Sequence, residues 1–489
     1  MDRLTAKTQA SGAARLPDYA PEDRGCGIVH LGLGAFHKAH QAVYTDDALA
    51  RDGGDWRVIG VSLRRPNAAN ELTPQDGRYT LIESGAEGTA FRVIGSIARA
   101  LTLQDDRLAV LDALTSPQTR IVSTTVTEKA YGIDRETGGV SPAHPAIAKD
   151  LANPDAPQSV VGLIAWALKQ RKSLGVPAFT VLCCDNLPEN GRMLRAVVLD
   201  YTRRAFPEVA AHITTDVAFP STMVDRITPA ASDETRDQVR KKLGFEDHAA
   251  IEAESFRQWV IEDSFPMGRP KWEAGGAVFV DDVEPYEQMK LRMLNGTHSM
   301  LAYSGFLAGH RYVRDVMQDD ALTVLVRRHL EAAAGTLRPL PAVDFGDYAA
   351  SLEMRFRNPH LAHETYQIAM DGTEKLPQRV VGPALEVMNG SKDPSPFAFA
   401  VAAWMRYVLG VDEAGTAYDI RDPRQEDIVR RLAGRTETAD IVEQLLAMDE
   451  VFPGELAQCR AWRHLVTGYL HIMLSEGMRA AIKREAERV

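Results

Sequence analysis

The sequence predicts an α/β N-terminal half followed by a mostly α-helical C-terminal half. Three observations carry this. The apolar run Gly27 to Leu31 leads into Gly32-Leu33-Gly34 and then a helix-forming stretch. Strand-like apolar runs recur as far as Val280. Beyond it, good helix formers dominate, with apolar spacing nearer 3.6 than 2.

Length and composition set the frame. A chain of 489 residues has room for two or more domains. With 45% hydrophobic and 25% charged residues it has ordinary globular composition. A net charge of −11 argues against general nucleic-acid binding, yet leaves room for a local cationic pocket. No stretch approaches the ~20 apolar residues of a membrane span. The first residues lack the apolar core of a secretory signal and read as a flexible lead-in over 1–20. The cysteines Cys26, Cys183, Cys184 and Cys459 form no CxxC pair, which favours a reducing cytoplasm.

Taken in order, residues 21–281 read as the α/β domain. Strand, Gly turn and helix at 27–40 form the opening βα unit of a Rossmann-like dinucleotide-binding domain. Gly32 allows the turn. Gly34, Ala35 and Phe36 would bring backbone to a pyrophosphate at the helix N-terminus. The third glycine of GxGxxG is replaced by His37. His37 and His40 have a ligand-like i, i+3 spacing, but no carboxylate or cysteine set accompanies them, so no metal is expected. Trp56 to Leu63 is the next strand, followed by Arg64-Arg65-Pro66-Asn67 where a ribose-binding acid is customary. Val93 to Ala100 and Arg120 to Thr127 read as further strands, the second ending at Glu128, either a ligand-facing or a plain surface acid. A helix over 159–170 and a buried strand over 177–184 follow, ending in Asp185-Asn186.

Residues 282–489 read as the helical domain, with helices over 287–306, 319–334, 346–357, 396–410, 424–433, 440–448 and 457–484. Its opening stretch, 285–304, is a mostly buried helix interrupted by Lys290, Asn295 and His298. At about 100° per residue these three fall within an arc of roughly 140°. One face would thus present an amine able to act as a general base, an amide able to hold an alkoxide, and an imidazole able to orient a hydroxyl. Further on, Lys375 and Arg379 are spaced i, i+4, though Pro377 argues against a regular helix between them.

The Lys-x4-Asn-x2-His spacing of Lys290, Asn295 and His298 resembles the signature of the long-chain mannitol dehydrogenase family of polyol dehydrogenases and hexuronate reductases. IVHLGLGAFHKAHQAVYTDD (28–47), IVSTTVTEKAYG (121–132), FTVLCCDNLPENG (179–191), FPSTMVDRITP (219–229), FRQWVIEDSFPMGRP (256–270) and QIAMDGTEKLPQR (367–379) are similar to family segments in the family's order. The resemblance implies an NAD-dependent, zinc-free hydride transfer on a secondary alcohol. Lys290 would be the base, and Asn186 and Asn295 would grip the reacting oxygen. His298 would orient a neighbouring hydroxyl, and Glu287 would relay the proton to solvent. Glu128 and Asp225 would lie near the cofactor. Asn67 stands where mannitol dehydrogenases carry an NAD-favouring aspartate, so NADP stays open beside NAD.

The segment from Gln367 to Arg379 resembles the fructuronate reductase branch, whereas VDRITP matches the polyol branch. A guanidinium suits a sugar-acid carboxylate, which mannitol lacks. The expected substrate is therefore of the mannonate/fructuronate type, with Arg379 or Lys375 on the carboxylate and Gln367 alongside. Mannitol and fructose are the alternative pair. A catalytically inactive nucleotide sensor is the alternative of another class, disfavoured by the presence of Lys290, Asn295, His298 and Asn186. The expected partners are small molecules, with neither nucleic acid nor membrane, in a monomer or small homo-oligomer.

Overall fold

In the computed structural model the described residues are 1–8, 13–85, 87–341, 343–360, 362–390 and 392–488. The chain divides into two compact units, Met1–Glu284 and Pro285–Val489.

The first unit is organised by five parallel strands: β1 (Cys26–Leu31), β2 (Arg57–Ser62), β3 (Ile97–Thr102), β4 (Ile121–Thr124) and β5 (Thr180–Cys183). Their order in the sheet is β3-β2-β1-β4-β5, the Rossmann arrangement, with its switch point between β1 and β4. Most of their residues are buried because both faces are covered. One face packs on the helices Val160–Leu174 and Asn190–Ala205. The other packs on the helix Gln41–Asp52 and on Trp259 and Trp272. Ser159 caps the first of these helices by accepting from the Gly162 N–H at 2.9 Å.

Two smaller sheets flank this one. Gly88–Ile94 and Tyr79–Gly85 form an antiparallel pair extended by Ala14–Arg15 on one side and Ile251–Glu254 on the other. Thr222–Asp225, Gln258–Glu262 and Val278–Val280 make the other. The run 93–100, expected as one strand, serves two sheets. Gly88–Ile94 ends in the flanking sheet and Ile97–Thr102 is β3, with the chain turned at Gly95, whose N–H donates to Asp46 at 2.9 Å. Part of the expected lead-in packs on the domain: Leu4 is buried among Ile82, Val93, Val239 and Phe245.

The second unit is helical. Its centre is Ser395–Tyr407, buried on all sides and packed between Thr297–Leu307 and Arg460–Ser475. The single helix expected over 457–484 is two, Arg460–Ser475 and Met478–Ala486, broken at Gly477, whose φ of +91° an L side chain rarely adopts. The stretch 285–304 is not a uniform α-helix either. An α turn, Glu284–Met289, passes into a π-helical segment, Lys290–Gly296, before α geometry resumes over Thr297–Leu307. Around Pro377, where a regular helix was not expected, the chain stays helical: Gly372–Leu376, a second π segment Pro377–Val381, and Gly382–Met388. A proline ring clashes with the carbonyl four residues back, and the wider i→i+5 turn accommodates it.

Candidate active site

A cavity of about 560 Å³ opens where β1, β2 and β4 end, the place where open parallel sheets bind ligands. Gly32, Leu33, Gly34 and Ala35 line it from β1, Ser62, Arg64, Arg65 and Asn67 from β2, and Val126 and Thr127 from β4. Gly32 has φ +105°, and a Cβ there would meet the Thr125 carbonyl oxygen at 2.1 Å, so the turn accepts only glycine. Gly34 is different. A Cβ on it would approach nothing nearer than the Gly32 oxygen at 3.7 Å. The protein itself leaves that space open, as a cradle for a pyrophosphate requires. Lys38, Glu71 and Ile251 also line the cavity and were not singled out in the sequence. The residues present thus fit a dinucleotide.

The other expected cofactor contacts in this unit separate into two groups. Phe36 turns from the cavity lining to stack on His40, with centroids 5.1 Å apart. Asp225 is buried in the same neighbourhood. Burial pushes His40 down to about 3, partly opposed by the Gln258 carbonyl and by Asp225. His37 is also buried and driven well below its ordinary value, stacked on His30 at 3.6 Å. The histidine pair is therefore neutral core. Glu128 is exposed and paired with Arg135 at 3.0 Å, while its neighbours Val126, Thr127 and Ala130 line the cavity.

Asn186 sits exposed in the turn after β5. What fixes that turn was missed in the sequence. The Asp185 carboxylate accepts from the Val126 N–H at 2.7 Å and the Tyr131 hydroxyl at 2.5 Å. Asn190 donates to the Asp185 carbonyl at 2.9 Å and to the Thr222 carbonyl at 2.8 Å. Burial raises the Asp185 carboxyl to about 7. Two Asx residues bracketing Leu187-Pro188 were the available signal.

In the second unit Lys290 is buried at the first position of the π segment, Glu287 is half-buried one turn earlier, and Asn295 is half-buried near its end. An i→i+5 turn holds more residues than an α turn, so residues five apart lie nearer one side of the helix. Lys290 and Asn295 therefore come closer to one line than the ~140° of a uniform α-helix allows. His298 follows one turn on. Its Nε2 is buried with no hydrogen-bond partner among the described residues. The ring lies 4.7 Å from Phe356 and edge-on to His363 at 5.3 Å. Burial holds it neutral, reinforced by His363, Arg355 and Arg379.

The two π segments pack on each other through Gly296. A Cβ at Gly296 would meet the Arg379 carbonyl oxygen at 2.7 Å. This close backbone approach brings the Arg379 guanidinium beside the Lys290 helix, where Nη1 donates to Ser299 Oγ at 3.4 Å. Arg379 forms no ion pair within 4.0 Å of a carboxylate among the described residues; desolvation lowers its pKa, partly opposed by Tyr303 and the more distant Asp371. Lys375 is already engaged, donating to the carbonyls of Met370 at 2.6 Å and Ile368 at 3.3 Å and pairing with Asp371 at 3.6 Å. Its pKa is lowered by burial and by Arg379. Gln367 is exposed on the short helix Thr365–Ala369. Arg355 and His363 complete the cluster and were not found in the sequence, where nothing local marks them.

Comparison with known proteins accounts for both units. Residues 26–274 match the mannitol dehydrogenase Rossmann domain, and residues 282–473 the mannitol dehydrogenase C-terminal domain. The chain belongs to the mannitol dehydrogenase family. It is therefore an oxidoreductase of that family. D-mannonate oxidoreductase of Escherichia coli K12 is 43% identical over 93% of this chain and 94% of its own length. The Pseudomonas fluorescens mannitol 2-dehydrogenase ternary complex with NAD and D-mannitol aligns with a TM-score of 0.84 at 38% identity, covering 100% of both chains. A D-sorbitol dehydrogenase in substrate-free form aligns at 0.92 with 32% identity over 99% of this chain and 100% of its own. Among the described residues, no three His, Cys, Asp or Glu side chains gather as a metal-binding group, and no helix is long and apolar enough to cross a membrane.

Proposed function

We propose that this protein is an NAD-dependent, metal-independent oxidoreductase acting on the secondary alcohol or ketone of an acyclic sugar acid, of the D-mannonate/D-fructuronate type. The observation that carries the acid reading is Arg379, a desolvated guanidinium without a carboxylate partner among the described residues. Burial depresses His298, His363 and Lys375, and nearby cations add to it: Arg355 and Arg379 at His298, Lys375 at His363, and Arg379 at Lys375. A bound carboxylate relieves that mutual repulsion, whereas a neutral polyol does not. The relation to a D-mannonate oxidoreductase supports the same choice.

The nicotinamide, when bound, accepts or donates the hydride. Lys290 takes the hydroxyl proton in oxidation and returns it in reduction, with Glu287 as its outlet to solvent. Asn295 and Asn186 donate to the oxygen as it gains alkoxide character. Neutral His298 offers Nε2 to a neighbouring hydroxyl. Gly32, Gly34 and Ala35 cradle the pyrophosphate, and Asn67 stands beside the adenosine ribose.

The test compares fructuronate with fructose. A charge-assisted contact is worth about 1.5–3 kcal/mol, so Arg379→Ala should lower kcat/KM for fructuronate by roughly 10–150-fold. Reduction of fructose, which has no carboxylate, should change far less. An enzyme that prefers fructose or mannitol outright overturns the acid reading and leaves the polyol pair.

A further inference from the structure

We propose that Thr125 is a positioning residue for the cofactor turn, held in place by a buried hydrogen-bond relay running from Gln41 through Ser123 and His30. The proposal rests on the reading of the β1–β4 cavity as the dinucleotide site.

The relay follows from strand geometry. Ser123 and Thr125 are two residues apart at the end of β4 and so face the same side. The β1–β4 register sets His30 opposite Ser123. The imidazole bridges the two hydroxyls, with Nδ1 2.9 Å from Ser123 Oγ and Nε2 2.8 Å from Thr125 Oγ1. Ser123 Oγ lies 2.7 Å from the side-chain amide of Gln41. At the other end Thr125 Oγ1 donates to the Gly32 carbonyl at 3.0 Å. His30, Gln41 and Ser123 are fully buried.

Counting protons gives the relay a direction. Thr125 has one hydroxyl hydrogen and spends it on Gly32, so it must accept from His30 Nε2–H. Burial holds His30 neutral, pushing it down to about 3, so its Nδ1 carries no proton and accepts from Ser123. The structure places Gln41 Oε1 2.7 Å from Ser123 Oγ; with the amide turned over, its nitrogen faces Ser123, which then accepts from it. The opposite amide orientation leaves that nitrogen buried without a partner and gives Thr125 one proton for two acceptors. Each link thus donates one step toward Gly32.

At Gly32 the relay completes a three-point clamp. The N–H groups of Gly32 and Leu33 both donate to the Val61 carbonyl, at 2.9 and 3.0 Å. The Gly32 carbonyl is committed to Thr125. A carbonyl released from that bond is free to turn toward the pyrophosphate, where its negative end repels the ligand. The clamp therefore sets cofactor affinity rather than the chemical step.

Thr125→Val keeps the shape and deletes the hydroxyl. Loss of one neutral hydrogen bond should weaken NADH binding by about 2–12-fold, read by direct fluorescence titration of the cofactor. The KM for cofactor should rise by the same factor. kcat at saturating cofactor and the substrate KM should stay within twofold, and Thr125→Ser should restore binding. Ser123→Ala, one link further back, should give a smaller loss of the same kind. Unchanged NADH affinity in both Thr125→Val and Ser123→Ala overturns the relay, as does a Thr125→Ser variant that binds no better than Thr125→Val. A loss shared equally by cofactor KM, substrate KM and kcat shows a merely structural role and also overturns it. Wild-type protein that binds no NADH overturns instead the reading of the cavity on which the relay rests.

Discussion

Gly296→Ala tests whether the packed π segments set the position of Arg379. Gly296 has φ −63° and ψ −48°, helical values that alanine adopts freely. On propensity alone alanine should stabilise the helix by about 0.5–1 kcal/mol. Its Cβ, however, would lie 2.7 Å from the Arg379 carbonyl oxygen and 3.3 Å from His329 Cε1, where ordinary contact begins near 3.4 Å. The shortfall against the carbonyl, 3.4 less 2.7, is about 0.7 Å. The obstructing atom is backbone and cannot rotate away. Overpacking of this kind costs about 1–3 kcal/mol, so the net loss of stability should be about 0–2.5 kcal/mol. That corresponds to a fall in Tm of no more than ~10 °C for a unit of this size. The catalytic effect should be larger, because a misplacement of order 1 Å can cost about 100-fold. We expect kcat/KM for a sugar acid to fall roughly 10–100-fold, with fructose reduction falling much less and NADH binding unchanged. Gly468→Ala is the control. Gly468 lies within Arg460–Ser475, and a Cβ added there would meet nothing within 4 Å. This variant should gain about 0.5–1 kcal/mol with activity intact. Steady-state kinetics and thermal melts on both variants decide the matter. A folded Gly296→Ala protein with wild-type kcat/KM for the acid refutes the claim that this contact positions Arg379.

Two further predictions concern titratable groups. Lys290→Ala should cut turnover by about 100-fold or more while leaving NADH binding nearly intact; turnover close to wild type at neutral pH removes Lys290 from the mechanism. Asp185 carries a pH-dependent stability cost, since burial raises its carboxyl from 3.8 to about 7. Between those values the native state holds a proton that the unfolded chain has released, so stability falls as pH rises through this window, by at most about 4 kcal/mol. Asp185→Asn should flatten that part of the urea-unfolding profile between pH 4.5 and 7, and a profile parallel to wild type contradicts the assignment.

Much of the first unit was legible because its determinants are local. β1, β2, β4 and β5 are mostly apolar and buried on both faces, and Gly32 sits where the turn needs a positive φ. The run 93–100 misled because periodicity does not register a change of sheet. The signal was Gly95-Ser96, and what turns the chain there is Asp46, far away in sequence. The helix break at Gly477 was visible as a glycine but carried no local sign of its backbone angle. The candidate site in the second unit was legible as residue types and illegible as geometry. Lys290, Asn295, His298 and Arg379 could be picked out, but Arg355 and His363 reach the same place only through packing.

The π segments show why. An α-helix of the same sequence satisfies the same local propensities, so nothing between 290 and 296 requires the wider turn. Two features outside local periodicity accompany it: Gly296, which lets another backbone approach, and Pro377, which cannot sit in a regular α turn. The two wide turns meet at the Arg379 carbonyl. Each wide turn alone forfeits regular helical hydrogen bonding, which is why such turns occur mostly singly and at functional positions. Here the two segments pack on each other, and Arg379 lies against Ser299. On the proposed reading, the helix that carries Lys290 and Asn295 and the segment that carries Arg379 meet at one close backbone contact. If Arg379 reads the carboxylate as proposed, a change of substrate class can come from Arg379 and its neighbours without moving Lys290 or Asn295.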